Sequence, residues 1–346
     1  MQPFYPDSYM AIEITDHCNL KCPFCPQSWL DKVHNIERGF INPALFKKII
    51  DDCIRDRLRF GLFMPFWLGE PLLHPEFRQL MGYYFEKKEI SNCWQLDTNA
   101  TLLTPEVTEF ILTKNANFPS RIHFSLDAYS EDMHKKLRPG GDFKKIVENI
   151  RAFVKRKAEL CLDYPEVVMQ FIVMRENFHE ANPFQDYWNS YFKETGSGGR
   201  IFFKRFDYEI DPMVTVVTDR LYNYIIKHIH KPNEVSFKQF KERAEYDQPT
   251  DICAAPWKTV LINQNGDVTV CCKDNGMVLK VGNAGEEPIS KIWWNNPKLH
   301  DFRTKLLTKP YEDLEYCSRC TMPNSPNWLK ITKEEIDEFQ RLPVPD

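Results

Sequence analysis

Asp16-His17-Cys18-Asn19-Leu20-Lys21-Cys22-Pro23-Phe24-Cys25 is the stretch that decides how this chain is read. Its cysteines are spaced C-x-x-x-C-x-x-C. Three thiolates on one tight loop can ligate three irons of a 4Fe–4S cluster and leave the fourth iron open to a small molecule. Structural zinc is the other ligand these thiols suit, but it takes a closed set of four. No fourth cysteine or suitably spaced histidine follows within the next few residues, and His17 is too close to Cys18 to close the site.

The whole chain sets outer bounds. At 346 residues, 42% hydrophobic and 27% charged, it can bury one large core or two. A net charge of −4 carries no basic footprint for nucleic acid. No apolar run reaches the length of a membrane span. The start, Met-Gln-Pro-Phe-Tyr-Pro, lacks the basic and apolar regions of a signal peptide. A cytoplasmic protein is therefore expected. Its eleven cysteines then read as metal ligands and thiols rather than disulfides.

Outward from the cysteine loop, strand and helix patterns alternate. Tyr9 to Ile14 reads as a buried strand leading into the loop. Asn42-Pro43 opens a helix carrying Leu45, Phe46, Ile49, Ile50, Cys53 and Ile54 on one stripe, which makes Cys53 a core residue. Phe60 to Leu68 is a second strand, followed by a helix from Pro75 to Lys88. Cys93 to Leu96, Arg121 to Leu126, Val167 to Met174 and Arg200 to Phe206 are further strands. Helices from Thr104-Pro105, from Phe143 to Leu160 and from His179 to Phe192 separate them. Six strand–helix alternations with short loops predict a parallel sheet. The polar, motif-like residues Cys18, Glu70, Asn99 and Asp127 all follow strands, where parallel barrels assemble their active sites.

The cysteine spacing, the aromatic Phe24 before the last cysteine and the lead-in Ile12-Glu13-Ile14-Thr15 resemble the radical S-adenosylmethionine (SAM) enzymes. The resemblance covers about residues 7 to 210 and implies a partial (β/α)6 TIM-like barrel. It implies that a 4Fe–4S cluster on Cys18, Cys22 and Cys25 chelates SAM and cleaves it to a 5′-deoxyadenosyl radical. That radical removes a hydrogen atom from substrate, and the protein supplies orientation and shielding. Leu68-Gly69-Glu70-Pro71 is similar to the family's Gly-Gly-Glu-Pro stretch at the SAM amino group, so Gly69, Glu70 and Pro71 are carried over. Thr98-Asn99-Ala100 is similar to the family's Thr-Asn-Gly. Ala100 stands in the glycine's place, so a positive φ is not expected there. Ser125 and Asp127 resemble the polar pair that meets SAM's ribose or carboxylate, and Arg138 resembles an arginine facing the SAM carboxylate. A local turn hydrogen bond is the plainer role of such residues.

A second cysteine set begins at Cys253. Twelve residues on comes Gly266, four more lead to Cys271, and Cys317-x-x-Cys320 follows. Asn265-Gly266 marks a hairpin between strands Val260–Ile262 and Val268–Val270, turning Cys271 back toward Cys253. A zinc ribbon suits this spacing nearly as well as a cluster. The pattern, with Gly282-Asn283-Ala284 and Ile289-Ser290-Lys291-Ile292-Trp293, resembles the SPASM extension of radical SAM enzymes. No cysteine follows Cys320, so the likeness is to the shortened twitch form, a small α+β domain. That form implies one auxiliary 4Fe–4S cluster held by Cys253, Cys271, Cys317 and Cys320 and used for electron transfer. Cys272 is left over. Neighbouring strand residues face opposite ways, so it is expected not to share that cluster and to be either a hydrogen donor to a substrate radical or an inert thiol.

The expected layout is a barrel over residues 1–210, a connector over 211–250 with a helix near Thr218 to His230, a twitch/SPASM domain over 251–330, and a tail over 331–346 opened by the capping box Thr332-x-x-Glu335. The expected activity is oxidation of an alcohol to a ketone, or epimerisation, of a small carbohydrate-like substrate. Twitch-type relatives act on sugars or aminocyclitols. Peptide maturases are the rival within the family and usually carry a leader-binding domain before the barrel, for which the early Cys18 leaves no room. A non-catalytic zinc protein is the rival outside it. Flavodoxin or ferredoxin is the electron donor the family implies.

Overall fold

The computed structural model describes residues 7–28, 38–115, 117–205, 251–314, 316–318, 320, 322–324 and 329–341. The connector over 211–250, its helix near Thr218 to His230 and the charged run Lys238 to Asp247 lie outside the described residues. In chain order the strands are β1 (Tyr9–Ile12), β2 (Leu62–Met64), β3 (Trp94–Thr98), β4 (Ser120–Ser125), β5 (Glu166–Val173), β6 (Arg200–Arg205), β7 (Thr259–Ile262), β8 (Asp267–Thr269) and β9 (Gly282–Asn283). The α-helices are α1 (Pro43–Arg55), α2 (Phe77–Glu86), α3 (Pro105–Lys114), α4 (Glu131–Leu137), α5 (Phe143–Glu159), α6 (Ala181–Thr195), α7 (Ala255–Lys258), α8 (Ile289–Asn295), α9 (Pro297–Thr308) and α10 (Lys333–Arg341). The fold is mixed α/β on a parallel sheet, with an antiparallel hairpin toward the C-terminus. Among the described residues, no helix is long and apolar enough to cross a membrane.

Local chemistry starts and stops these elements where the sequence suggests. Asn42 accepts the Ala44 N–H at 2.8 Å, with Pro43 in the first turn of α1. Thr104 caps α3 and Asp142 caps α5 in the same way. Gly196 closes α6 at φ +68°. Thr332 and Glu335 form the reciprocal capping box ahead of α10. Two expectations shift. The second strand, expected from Phe60 to Leu68, is only Leu62–Met64, because Pro65 has no N–H to give the ladder. Helix α4 was not expected; Ser130 caps it by accepting the Met133 N–H at 3.2 Å.

The chain forms two compact units, one from residues 1–17, 34–94 and 246–346, the other from 18–33 and 95–245. In the first, the strand order is β2-β1-β7-β8-β9. β1 pairs in parallel with β2 and, on its other edge, with β7, from Tyr9 opposite Thr259 to Ile12 opposite Ile262. β7 turns back antiparallel into β8 through Gly266, whose φ is +86°. The C-terminal hairpin therefore extends the sheet of β1. Phe63 stacks on Tyr84 at 4.2 Å beneath this sheet, and Phe46, Ile49, Ile50 and Cys53 of α1 are buried there.

In the second unit the order is β3-β4-β5-β6, with Ser125 opposite Gln170 and Val168 opposite Arg200. One face of this sheet meets the helices: Phe124 lies 5.4 Å from Phe153 on α5, and Phe171 lies 5.0 Å from Phe184 on α6.

Candidate metal and cofactor site

In the second unit, the cysteine loop winds around the carbonyl of Cys22. That oxygen accepts the Cys25 N–H at 3.0 Å and the Ser28 hydroxyl at 2.8 Å. The Lys21 N–H is donated to Pro139 O at 3.0 Å. Burial, with the neighbouring thiols, pushes the Cys22 thiol up to about 11 and the Cys25 thiol up to about 12. Three thiols this crowded give up their protons only to a partner that brings positive charge. An iron–sulfur cluster does so, and it binds each thiolate on its own iron. Among the described residues, no three His, Cys, Asp or Glu side chains stand close enough to share one metal ion. A cluster does not ask for that convergence.

The polar residues expected around SAM divide between the units. Asn99 sits against the loop, its Nδ2 donating to Asn19 Oδ1 at 2.9 Å and lying 3.9 Å from Cys18 Sγ. Thr98 Oγ1 accepts the Ala100 N–H at 3.0 Å. Ala100 has φ +59°, against the expectation that only glycine would adopt that conformation here. The Thr98 bond, together with Asn149 Nδ2 donating to Ala100 O at 2.9 Å, holds the left-handed turn.

Ser125 Oγ accepts from Gln170 Nε2 at 3.1 Å. Asp127 is fully buried. Its Oδ2 takes two N–H bonds from Arg138 and its Oδ1 takes the Ile172 N–H at 2.7 Å. Arg138 lies 5.6 Å from the Phe24 ring. Burial alone would lower its pKa, but Asp127 and the thiols of Cys22 and Cys25 raise it and hold it charged. Asp127 and Arg138 also form a buried ion pair with each other beside the cysteine loop.

In the first unit, Gly69-Glu70-Pro71 threads past the end of β1. Glu13 Oε1 accepts the N–H groups of Leu68 at 2.8 Å and Gly69 at 3.2 Å, and the Glu70 N–H is donated to His17 O at 2.8 Å. A Cβ at Gly69 would meet Thr15 O at 2.0 Å, so only glycine allows the approach. The sequence passes over Glu13. Its signal was a carboxylate placed inside an otherwise apolar strand end.

The same unit gathers the second cysteine set. The Cys253 N–H is donated to Tyr311 Oη at 2.8 Å. The Cys320 N–H closes on Cys317 O at 3.0 Å. Burial raises the Cys271 thiol, with Cys253 and Cys320 adding to it, and burial with Cys271 and Cys320 pushes Cys317 up to about 12. Cys271 therefore lies within electrostatic reach of Cys253 and Cys320, and Cys317 within reach of Cys271 and Cys320. Cys271 and Cys272 lie beyond the end of β8, so strand alternation does not separate them. The Cys272 thiol is raised by burial and then by Cys271, Cys320 and Cys253. It also packs with Tyr9, Ala11 and Leu261, and its carbonyl accepts the Trp67 indole N–H at 3.3 Å. Asp274, unremarked in the sequence, is fully buried and anchors the following loop by accepting from Thr269, Val278 and Leu279.

The profile described as the Radical SAM superfamily matches residues 12–181, and the SPASM iron-sulfur cluster-binding domain matches 253–321. The chain belongs to the radical SAM superfamily, in its SPASM subgroup. Its cofactors are accordingly 4Fe–4S clusters and SAM, and a non-catalytic zinc protein is ruled out as its class. A tungsten-containing aldehyde ferredoxin oxidoreductase cofactor-modifying protein of Pyrococcus furiosus is 28% identical over 177 residues, 50% of this chain and 45% of that protein. The chain thus matches about half the length of this relative. Streptococcus suis SuiB bound to S-adenosylmethionine superposes with a TM-score of 0.60 at 17% identity, over 94% of this chain and 76% of that one. BtrN in complex with AdoMet and 2-DOIA superposes with a TM-score of 0.51 at 16% identity, over 95% and 96%. At such identities these likenesses speak for the fold.

Proposed function

We propose that this radical SAM enzyme removes a hydrogen atom from an unactivated C–H bond of a small, carbohydrate-like substrate and oxidises an alcohol to a ketone. Epimerisation at the same carbon is the alternative outcome of the same first step. The observation that carries the proposal is the pairing of two thiol sets: three cysteines on one loop, and a second set in which Cys271 is near Cys253 and Cys320, and Cys317 near Cys271 and Cys320. A set of three leaves a metal position for an outside ligand, and a set of four does not.

Cys18, Cys22 and Cys25 hold the first cluster, and Cys253, Cys271, Cys317 and Cys320 hold the auxiliary one. When bound, the reduced first cluster supplies the electron that cleaves SAM to methionine and a 5′-deoxyadenosyl radical. Gly69, Glu70 and Pro71 present backbone to the SAM amino group. Thr98, Asn99, Ser125, Asp127 and Arg138 are the further SAM contacts. Residues 1–210 form the barrel, 211–250 the connector, 251–330 the SPASM domain and 331–346 the tail. A flavodoxin or ferredoxin reduces the enzyme in the cytoplasm, where its eleven thiols stay reduced.

Support for a small substrate comes from BtrN, crystallised with 2-DOIA and aligned over nearly the whole of both chains. A peptide substrate is the second reading, favoured by the higher TM-score to SuiB.

Anaerobic reconstitution should give about eight irons per chain, as two 4Fe–4S clusters require. It should also give 5′-deoxyadenosine from SAM under strong reductant. Cys22→Ala should keep about half the iron and lose SAM cleavage. Undiminished cleavage in Cys22→Ala would sink the proposal. In deuterated buffer, label entering product carbon and lost in Cys272→Ala would replace oxidation by epimerisation.

A further inference from the structure

Along β3 to β6, successive side chains divide between two faces. Those meeting α5 and α6 are apolar, as with Phe124 and Phe171. The opposite face is mixed: Val168 lies opposite His123, and Phe202, opposite Gln170, has its ring 6.2 Å from the imidazole, while a few polar side chains are buried among them. Gln95 Nε2 donates to Asp97 Oδ1 at 2.7 Å, and His123 Nδ1 lies 3.4 Å from the same oxygen. One step along, Gln170 Nε2 donates to Ser125 Oγ at 3.1 Å. The His123 side chain is 9% exposed, and its Nε2 is buried with no hydrogen-bond partner among the described residues. Leaving such a nitrogen unmet costs about 1–3 kcal/mol. A hydroxyl of a bound ligand would give that nitrogen the partner it lacks.

We propose that this face binds the hydroxyl groups of a cyclic polyol and that His123 Nε2 takes the proton of the hydroxyl being oxidised, with Asp97 orienting the ring and Gln170 holding a neighbouring hydroxyl. The inference rests on the oxidation proposed above and assigns its base. The step balances as follows. The carbon gives a hydrogen atom to the SAM-derived radical, and its oxygen gives a proton to His123. An oxidised 4Fe–4S cluster on Cys253, Cys271, Cys317 and Cys320 would supply the one-electron oxidant that the C=O bond needs to complete. A proton on Nδ1, facing Asp97, leaves the Nε2 lone pair as acceptor. Burial lowers the His123 pKa, Asp97 opposes this, and Arg121, Lys204 and Arg200 lower it further. Glu166, on the same face of β5, is paired with Arg200 at 2.6 Å. The imidazole is thereby neutral, as a base must be.

The test uses the cluster-loaded full chain with SAM under anaerobic conditions, and two probes: myo-inositol and methyl α-D-glucopyranoside. Binding is followed by calorimetry and by the His123 imidazole resonances, assigned through their loss in His123→Gln. At least one probe should bind and shift those resonances. Gln170→Ala should weaken binding about tenfold or more. His123→Gln should bind nearly as well yet lower ketone formation by about 10²- to 10⁴-fold. Deuterium transfer from carbon-deuterated probe to 5′-deoxyadenosine should continue in that variant. Asp97→Asn should lower the titration midpoint of His123, and Lys204→Met should raise it. Binding of neither probe, bound probe with unmoved His123 resonances, binding without ketone from the wild type, or full ketone yield in His123→Gln would each overturn the inference. Absence of any 5′-deoxyadenosine from the wild type would instead remove the radical chemistry on which it rests.

Discussion

Arg138 grips a single oxygen of Asp127 with two donors, Nε at 3.0 Å and Nη2 at 2.5 Å. The pair is buried beside the cysteine loop, with the Asp127 side chain wholly inaccessible. Removing one partner of such a pair leaves an uncompensated charge in low dielectric. Asp127→Asn should cost about 3–5 kcal/mol in denaturant unfolding of the cluster-free protein. Asp127→Leu with Arg138→Met should cost less than Asp127→Asn alone. Equal losses would show that the pair acts by packing, not charge.

At Gly69 the constraint is space. A methyl group there collides with Thr15 O and His17 O, both backbone atoms that cannot rotate aside. Gly69→Ala must push the Gly-Glu-Pro segment off the end of β1 at a cost of about 1–3 kcal/mol. SAM affinity should fall about tenfold or more while iron content is unchanged, because the cysteines lie on another segment. Calorimetric SAM binding beside an iron count checks both halves.

Glu13 carries a pH dependence of definite sign. Burial raises its carboxyl from 4.5 to about 8, with Asp16 adding to the rise and the N–H groups of Leu68 and Gly69 opposing it. Between those values the folded state holds a proton that the unfolded state has released. The stability from this group is therefore complete below pH 4.5 and is lost as pH rises through about 8. Glu13→Gln keeps an acceptor oxygen for the two N–H groups and cannot ionise. It should flatten the decline of unfolding free energy across that window, a difference on the order of a few kcal/mol at the alkaline end. Parallel slopes in the two proteins would refute this.

Ala100 adopts φ +59°, a conformation that glycine enters without strain. Ala100→Gly should stabilise the fold by about 0.5–1 kcal/mol, the relief of left-handed strain outweighing the added freedom of the unfolded chain. Cluster loading should not change, since the Ala100 backbone bonds to Thr98 and Asn149 remain available. A loss of stability in thermal unfolding would mean that burial of its methyl outweighs the strain.

Much of the site could be read before any coordinates. The spacing of Cys18, Cys22 and Cys25, and of Cys253, Cys271, Cys317 and Cys320, marks ligands because each set must meet around one inorganic core. The helices announced themselves through capping residues such as Asn42 and Asp142, which act locally. What escaped notice was non-local. Glu13 looks like one carboxylate in a strand until Leu68 and Gly69 are brought against it. Asp127 and Arg138 suit an anionic cofactor equally well in sequence, and only packing pairs them with each other. His123 and Asp97 occupy alternate positions in their strands, a pattern that period-two counting can find, but their contact depends on how β3 lies beside β4.

The sequence by itself determined the family, the two cysteine sets and the alternation of strand and helix, because ligand spacing and hydrophobic period are properties of adjacent residues. Only the tertiary structure decided that β7 joins the free edge of β1, that Cys272 falls past the end of a strand, and that the His123 Nε2 is buried without a hydrogen-bond partner among the described residues. Those outcomes depend on which backbone edges and buried dipoles find partners across long stretches of chain, and no local spacing records that choice.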